Sequence, residues 1–281
     1  MSPELEEELK NDLYVIREEI VKNLKILLCY PVEIVFWVVF PIFWVVPFIF
    51  QGEALVGGLN SESFANYAGT QEFIPYVLIG AILNTYVMSA LYGMSSSLRL
   101  ESFWGTLEYI LGSPSKKISI LLGKALSESF TATFFALSQT VISVILFGLE
   151  ITFGKVLPIL LVLILLILGL YGMAIGLAGL TLQIKETRSL IHTIENLFYL
   201  FSPVRYPTDI NPITKMVSLI IPITYALIVV RGIMLLNESV FNLWKNVVIL
   251  AFMDIFLIVF GYLTFHFIER RARMSGIVSH Y

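Results

Sequence analysis

Five ionisable residues stand inside or beside long apolar stretches of the chain: Glu128, His192, Glu195, Arg231 and Asp254. Charge is costly in hydrocarbon, so such groups pair with one another, line a path or mark a site. His192 and Glu195 are three apart and would share one helical face. Two such ligands could begin a metal site. No His-Glu-x-x-His run accompanies them and no third ligand lies nearby in sequence, so no metal is expected. Cys29 is the single cysteine, which rules out an internal disulfide or a cysteine metal cluster. Glu128, Glu195 and Asp254 carry two readings, pairing between helices or lining a translocation path. Arg231 reads as an anchor at the outer membrane interface, with substrate binding as the other reading.

The elements that must position these residues are apolar. The chain is 57% hydrophobic and 14% charged, against about 45–50% and about 25% in soluble domains. A crossing helix needs about 20 apolar residues, and the runs are long enough. The net charge of -3 and the lack of a basic stripe give no sign of nucleic acid. Before the first run, Leu5, Leu9, Leu13, Ile16, Ile20 and Leu24 recur at helical steps. Ser2 and Pro3 suit a helix start. The spacing predicts an interfacial amphipathic helix within residues 1–30, with a soluble helix packed on a partner as the other reading.

Residues 31–281 then read as an all-α integral membrane domain. Crossings are predicted over about 31–50, 73–97, 118–147, 156–182, 190–201 and 247–267. Between the last two, Pro203, Pro207, Pro212 and Pro222 break short apolar segments. The pattern predicts a re-entrant hairpin over about 202–231, on the outer side. Irregular backbone of this kind survives at membrane depth only when covered by protein or facing a water-filled cavity. Lys and Arg concentrate in the N-terminal segment, in 99–124, in 183–189 and in the tail, while 51–72 has none. The positive-inside rule then places both termini in the cytoplasm with six crossings; seven is the other reading, which would put the basic tail outside.

The stretch Glu101–Lys117, ESFWGTLEYILGSPSKK, falls in the cytoplasm on this topology. Phe103, Leu107, Ile110 and Leu111 share a face, Gly112 can end a helix and Pro114 stops it. The residues alone leave two readings, a connector or a docking helix for a soluble partner.

ESFWGTLEYILGSP, with ILLGKAL at 120–126, resembles the loop between spans two and three of ABC-2-type transporter permeases. PITYALIVVRGIML from Pro222 resembles that family's Pro-x-Thr-Tyr stretch with a following Arg, here Arg231. The order of elements is similar throughout. The resemblance implies that residues about 100–113 form a coupling helix seated on an ATP-hydrolysing subunit. Glu101, Trp104, Leu107 and Glu108 would make that contact, with Lys185 and Arg188 as a second, smaller one. Pro207, Pro222, Tyr225 and Arg231 would belong to the outer re-entrant element.

The chain has no Gly-x-x-x-x-Gly-Lys-Ser/Thr loop for phosphate. It is therefore expected to bind no cofactor and catalyse no reaction itself. ATP and Mg would be held by a partner ABC ATPase, two copies with two permease chains, identical or related, in the lipid of the plasma membrane. The implied function is export of a drug-like, lipid or polysaccharide substrate. The competing class is a secondary transporter driven by an ion gradient, which internal inverted repeats would favour; none is visible. A membrane enzyme or scaffold is the third class.

Overall fold

The computed structural model describes residues 3–56, 62–149, 152–180 and 187–274, and all its extended regular elements are helical. In chain order these are α1 (Pro3–Cys29), α2 (Pro31–Val56), α3 (Glu62–Ala68), α4 (Phe73–Met88), a π-helical turn (Ser89–Met94), α5 (Ser97–Phe103), α6 (Leu107–Gly112), α7 (Lys117–Phe147), α8 (Phe153–Leu180), α9 (Thr187–Phe201), a 3-10 turn (Thr208–Ile210), α10 (Pro212–Ser218), α11 (Pro222–Met234) and α12 (Trp244–Met274).

Local sequence sets most of the boundaries. Pro31 separates α1 from α2, because the residue before a proline is held out of the α region. Gly148 closes α7 in the left-handed region at φ 68°, where a side chain would be strained. Asn211 caps α10 by accepting a 2.9 Å hydrogen bond from the Ile213 N–H, and Pro212 fills the first helical position. Pro222 does the same for α11.

Four stretches are long and apolar enough to cross a bilayer: 73–103, Lys117–Phe147, Phe153–Leu180 and Trp244–Arg271. The protein is thus an all-helical membrane protein. Sequence reasoning led to six crossings, so the tally by length and composition among the described residues is lower. The first apolar run lies in α2, which has 26 residues. The fifth lies in α9, which has only 15. α10 and α11 bend by 98° at their break, as a broken span or a re-entrant loop would.

The bundle packs most tightly along α8 and α12. A Cβ on Gly172 would lie 2.7 Å from the Ile258 Cα, one on Gly176 3.0 Å from the Gly261 Cα, and one on Gly179 3.1 Å from the Phe265 Cα. Glycines four residues apart let two backbones approach, the usual way to gain contact where lipid supplies no hydrophobic drive. Leu166, Leu170, Ala174 and Ala178 on α8 are fully buried beside this seam. α11 is buried along nearly its whole length, with Ile223, Ala226, Leu227 and Val229 inaccessible. The α4 helix runs on through the π turn, where the Ser95 N–H bonds to the Ala90 carbonyl five residues back.

The predicted single helix over 100–113 is two. α5 ends at Phe103, Gly105 takes φ 72°, and α6 begins at Leu107. Only glycine enters that region freely, so the break follows from residue 105.

Candidate functional site

The end of the bundle that carries α1, α5 and α6 is a braced block. Lys22 on α1 donates to Glu101 on α5 at 2.8 Å and lies 2.8 Å from Glu19 one turn earlier. Thr106 donates to both the carboxylate and the backbone carbonyl of Glu101, tying the α5–α6 turn to the same group. Burial pulls Lys22 down, but its hydrogen bonds with Glu101 and Glu19 outweigh that and hold it above its ordinary value. Further along α1, Asp12 accepts 3.0 Å and 2.9 Å bonds from Lys116 and Ser119, and Lys116 also reaches Glu8 at 2.9 Å. Burial pushes Asp12 up; those hydrogen bonds win and leave it below the usual carboxylate value. Gly123 of α7 permits this docking, since a Cβ there would lie 2.7 Å from the Glu19 Cβ.

α1 is therefore packed against α7 through its polar flank, while Leu9, Leu13 and Leu28 stay more than half exposed.

Four loop residues were singled out from sequence for contact with a partner. Trp104 and Glu108 are exposed. Leu107 is buried in the core and Glu101 is engaged with Lys22 and Thr106. Phe103 and Tyr109, exposed at 84% and 80%, join Trp104 at the tip. Their excess exposure was readable only as aromatic character. Arg188 stands in the first turn of α9, and Lys185 lies outside the described residues.

Inside the bundle the acidic groups separate. Glu128 lies 3.2 Å from Lys124 and accepts from Ser89 of the π turn at 3.3 Å; Ser89 and the Tyr171 hydroxyl are 3.1 Å apart. Lys124 in turn donates to Asn23 at 2.7 Å, and Asn23 to Glu19 at 2.8 Å. A continuous polar chain thus runs from Glu101 through Lys22, Glu19, Asn23, Lys124 and Glu128 to Ser89 and Tyr171. Gly93 faces the Glu128 carboxylate, where any side chain would collide with it. Sequence reading could have found Lys124–Glu128, an i,i+4 pair. Ser89, Tyr92 and Tyr171 carried no signal.

Glu195 pairs elsewhere, accepting a 2.7 Å hydrogen bond from the Tyr92 hydroxyl, which also bonds the His192 Nδ1. Asp254 is 3% exposed and neither carboxylate oxygen has a hydrogen-bond partner; it lies against Gly169. Among the described residues it has no interhelical hydrogen-bond partner. Among the described residues no cluster could hold a metal.

Arg231 is buried and donates to the backbone carbonyls of Pro203, Val204 and Tyr76, its guanidinium 3.3 Å from the Tyr76 ring centroid. It fastens the turn after α9 to the start of α4. Tyr225 donates to the Leu219 carbonyl at 2.9 Å, and Pro207 leads into the 3-10 turn. Arg231 and Tyr225 thus tie this region together through bonds to backbone carbonyls.

A family model described as ABC-2 type transporter matches residues 34–235, from α2 to the end of α11. No curated protein matches the chain.

Proposed function

This chain belongs to the ABC-2 type transporter family, and from that premise we propose that it is the permease of an exporter driven by ATP hydrolysis on a separate ABC ATPase. Two permease chains, identical or related, and two ATPase chains make the working unit, with ATP and Mg held by the ATPases. The chain lies in the plasma membrane with both termini in the cytoplasm. Its six crossings are α2, α4 through α5, α7, α8, α9 and α12, and α10–α11 enters from outside and returns. The cargo is drug-like, a lipid or a polysaccharide.

One observation supports the coupling role above others: an exposed aromatic tip mounted on a braced base. Phe103, Trp104 and Tyr109 project from the α5–α6 turn, beside the exposed Glu108. Large exposed aromatics are the usual anchors of protein interfaces. The base of the same turn is held by Glu101 to α1, and α1 is held to α7. A push on the tip is thus delivered into two helices rather than dissipated in a loose loop. Lys185 and Arg188, before and within the first turn of α9, supply the second contact.

The test is co-purification of an ABC ATPase with this chain. The wild-type permease should carry that ATPase through purification, and the pair should hydrolyse ATP and export in vesicles. Trp104→Ala with Glu108→Arg should abolish retention while leaving the permease inserted. Transport that continues without any ATPase, driven by an ion gradient, would overturn the reading.

A further inference from the structure

A cluster at the boundary of α9 and the π turn is used by none of these roles. Tyr92 projects from the π turn to His192 and Glu195, which lie one turn apart on α9. π turns inside α-helices are frequent at functional sites. The hydrogen bonds here have a fixed direction. A phenol has one proton, and that of Tyr92 goes to Glu195 Oε2 at 2.7 Å. The Tyr92 oxygen must then accept from the His192 Nδ1–H. In the neutral imidazole that tautomer leaves Nε2 as a bare acceptor. Neither His192 Nε2 nor Glu195 Oε1 makes a hydrogen bond among the described residues.

Among the described residues, two acceptors, one of them a carboxylate oxygen, are therefore open on one helical face. His192 is about half exposed and Glu195 is 14% exposed, so the carboxylate is sheltered but reachable. Around them α9 presents Leu197 and Leu200 to its surroundings. An anion would be repelled, and a neutral apolar molecule would leave both acceptors unsatisfied, which costs affinity. A protonated amine supplies what both acceptors lack: N–H donors and a positive charge, in the form of a charge-assisted hydrogen bond.

We propose that Tyr92, His192 and Glu195 form a recognition site for the protonated primary or secondary amine of an amphiphilic cargo. Glu195 binds the charge, His192 Nε2 takes a second N–H, and Tyr92 is the positioning residue that orients both. This deepens the permease reading by naming a cargo class, and it rests on that reading for the word cargo. On the proposed topology the site lies in the cytoplasmic half of the membrane, open to molecules arriving from the inner leaflet.

The experiment uses the full-length chain alone in lipid nanodiscs, so that it is independent of any ATPase. The probe is monodansylcadaverine, a fluorescent primary amine, and the control is its N-acetyl derivative, which keeps the apolar body and loses the charge. The amine should bind saturably above the level of empty nanodiscs, and the acetylated form at least tenfold more weakly. Glu195→Gln should weaken amine binding at least tenfold and leave the weak binding of the acetylated form unchanged. Tyr92→Phe, which keeps the ring, should weaken amine binding by a smaller factor. Equal binding of the two probes to the wild-type chain would overturn the proposal, and so would amine binding no greater than to empty nanodiscs. A Glu195→Gln chain that is monodisperse and binds the amine as the wild type does would also overturn it. Failure of ATPase retention, by contrast, would strike the permease reading and leave these binding results standing.

Discussion

Lys22 and Glu101, 79 residues apart in the chain, meet at 2.8 Å and join α1 to α5. Lys22 is partly exposed and Glu101 is mostly covered. An exposed pair contributes about 0–1 kcal/mol, and partial shelter places this one at the upper end. A double-mutant cycle with Lys22→Met and Glu101→Gln should return a coupling of about 0.5–1 kcal/mol. The readout is the undocking of α1 from α7, followed by energy transfer between fluorophores on the two helices as denaturant rises. Export should fall in each single variant without loss of insertion. Strict additivity would show that the two side chains merely lie near each other.

The α8–α12 seam should tolerate nothing larger than glycine. A Cβ at Gly261 would run into the Gly172 carbonyl, which is backbone and cannot rotate aside. Overpacking costs about 1–3 kcal/mol when neighbours can adjust. Gly261→Leu should cost at least that and lower the melting temperature of the purified chain by several degrees. Gly154→Leu, at a helix position with open space around it, is the control and should leave melting unchanged.

The docking of α1 should be flat with pH over a wide range. Asp12 sits below its ordinary value, so its contribution is present above about pH 4 and is lost as pH falls through its lowered value. Lys22 sits above its ordinary value, so its contribution is full below about pH 10 and is lost as pH rises through its raised value. A spin label at Leu13, which is 58% exposed, should show constant mobility from about pH 5 to about pH 9. Mobility should rise only beyond both ends. A step near neutral pH would contradict the assignment of these two groups as the docking contacts.

The path of α10–α11 can be read by labelling. Asp209 and Asn237 are both exposed on either side of the 98° bend. Single cysteines at these positions, in a Cys29→Ser background, should both react with an impermeant thiol reagent added outside cells. A cysteine at Tyr109 should react only after the membrane is opened. Reaction of Asn237→Cys from the cytoplasmic side alone would make the segment a full crossing.

The long apolar helices were legible because each fills its length with one kind of residue, and composition alone separates α7, α8 and α12 from their loops. The amphipathic character of α1 was legible from its three- and four-residue steps. Its attachment to α7 was not, because it depends on Gly123 leaving room and on Lys124 reaching Asn23. Neither is a property of a local window. The break at Gly105 was hidden by the good helical spacing around it: periodicity registers side chains, whereas φ 72° belongs to the backbone. Glu101 and Leu107 share one short motif with Trp104 and Glu108, yet they face inward while the other two face out. The motif located the surface; only the fold sorted it. Asp254 was weighed as half of a pair, and its neighbour is the backbone of Gly169.

The π turn at Ser89–Met94 also sets a phase. It accommodates more residues in its turn than an α-helix does, and each residue of an α-helix advances the face by about 100°. Deleting one residue between 89 and 94 would let the chain regularise into a plain α-helix. Because the π turn fits about one extra residue into the same rotation, everything downstream to Phe103 would keep its heading, whereas deleting a residue from regular α4 would turn Glu101 away from Lys22 by about 100°. The phase of the helix, rather than any single side chain in it, keeps the two ends of this element in register, and a one-codon deletion should be far less damaging within Ser89–Met94 than within regular α4.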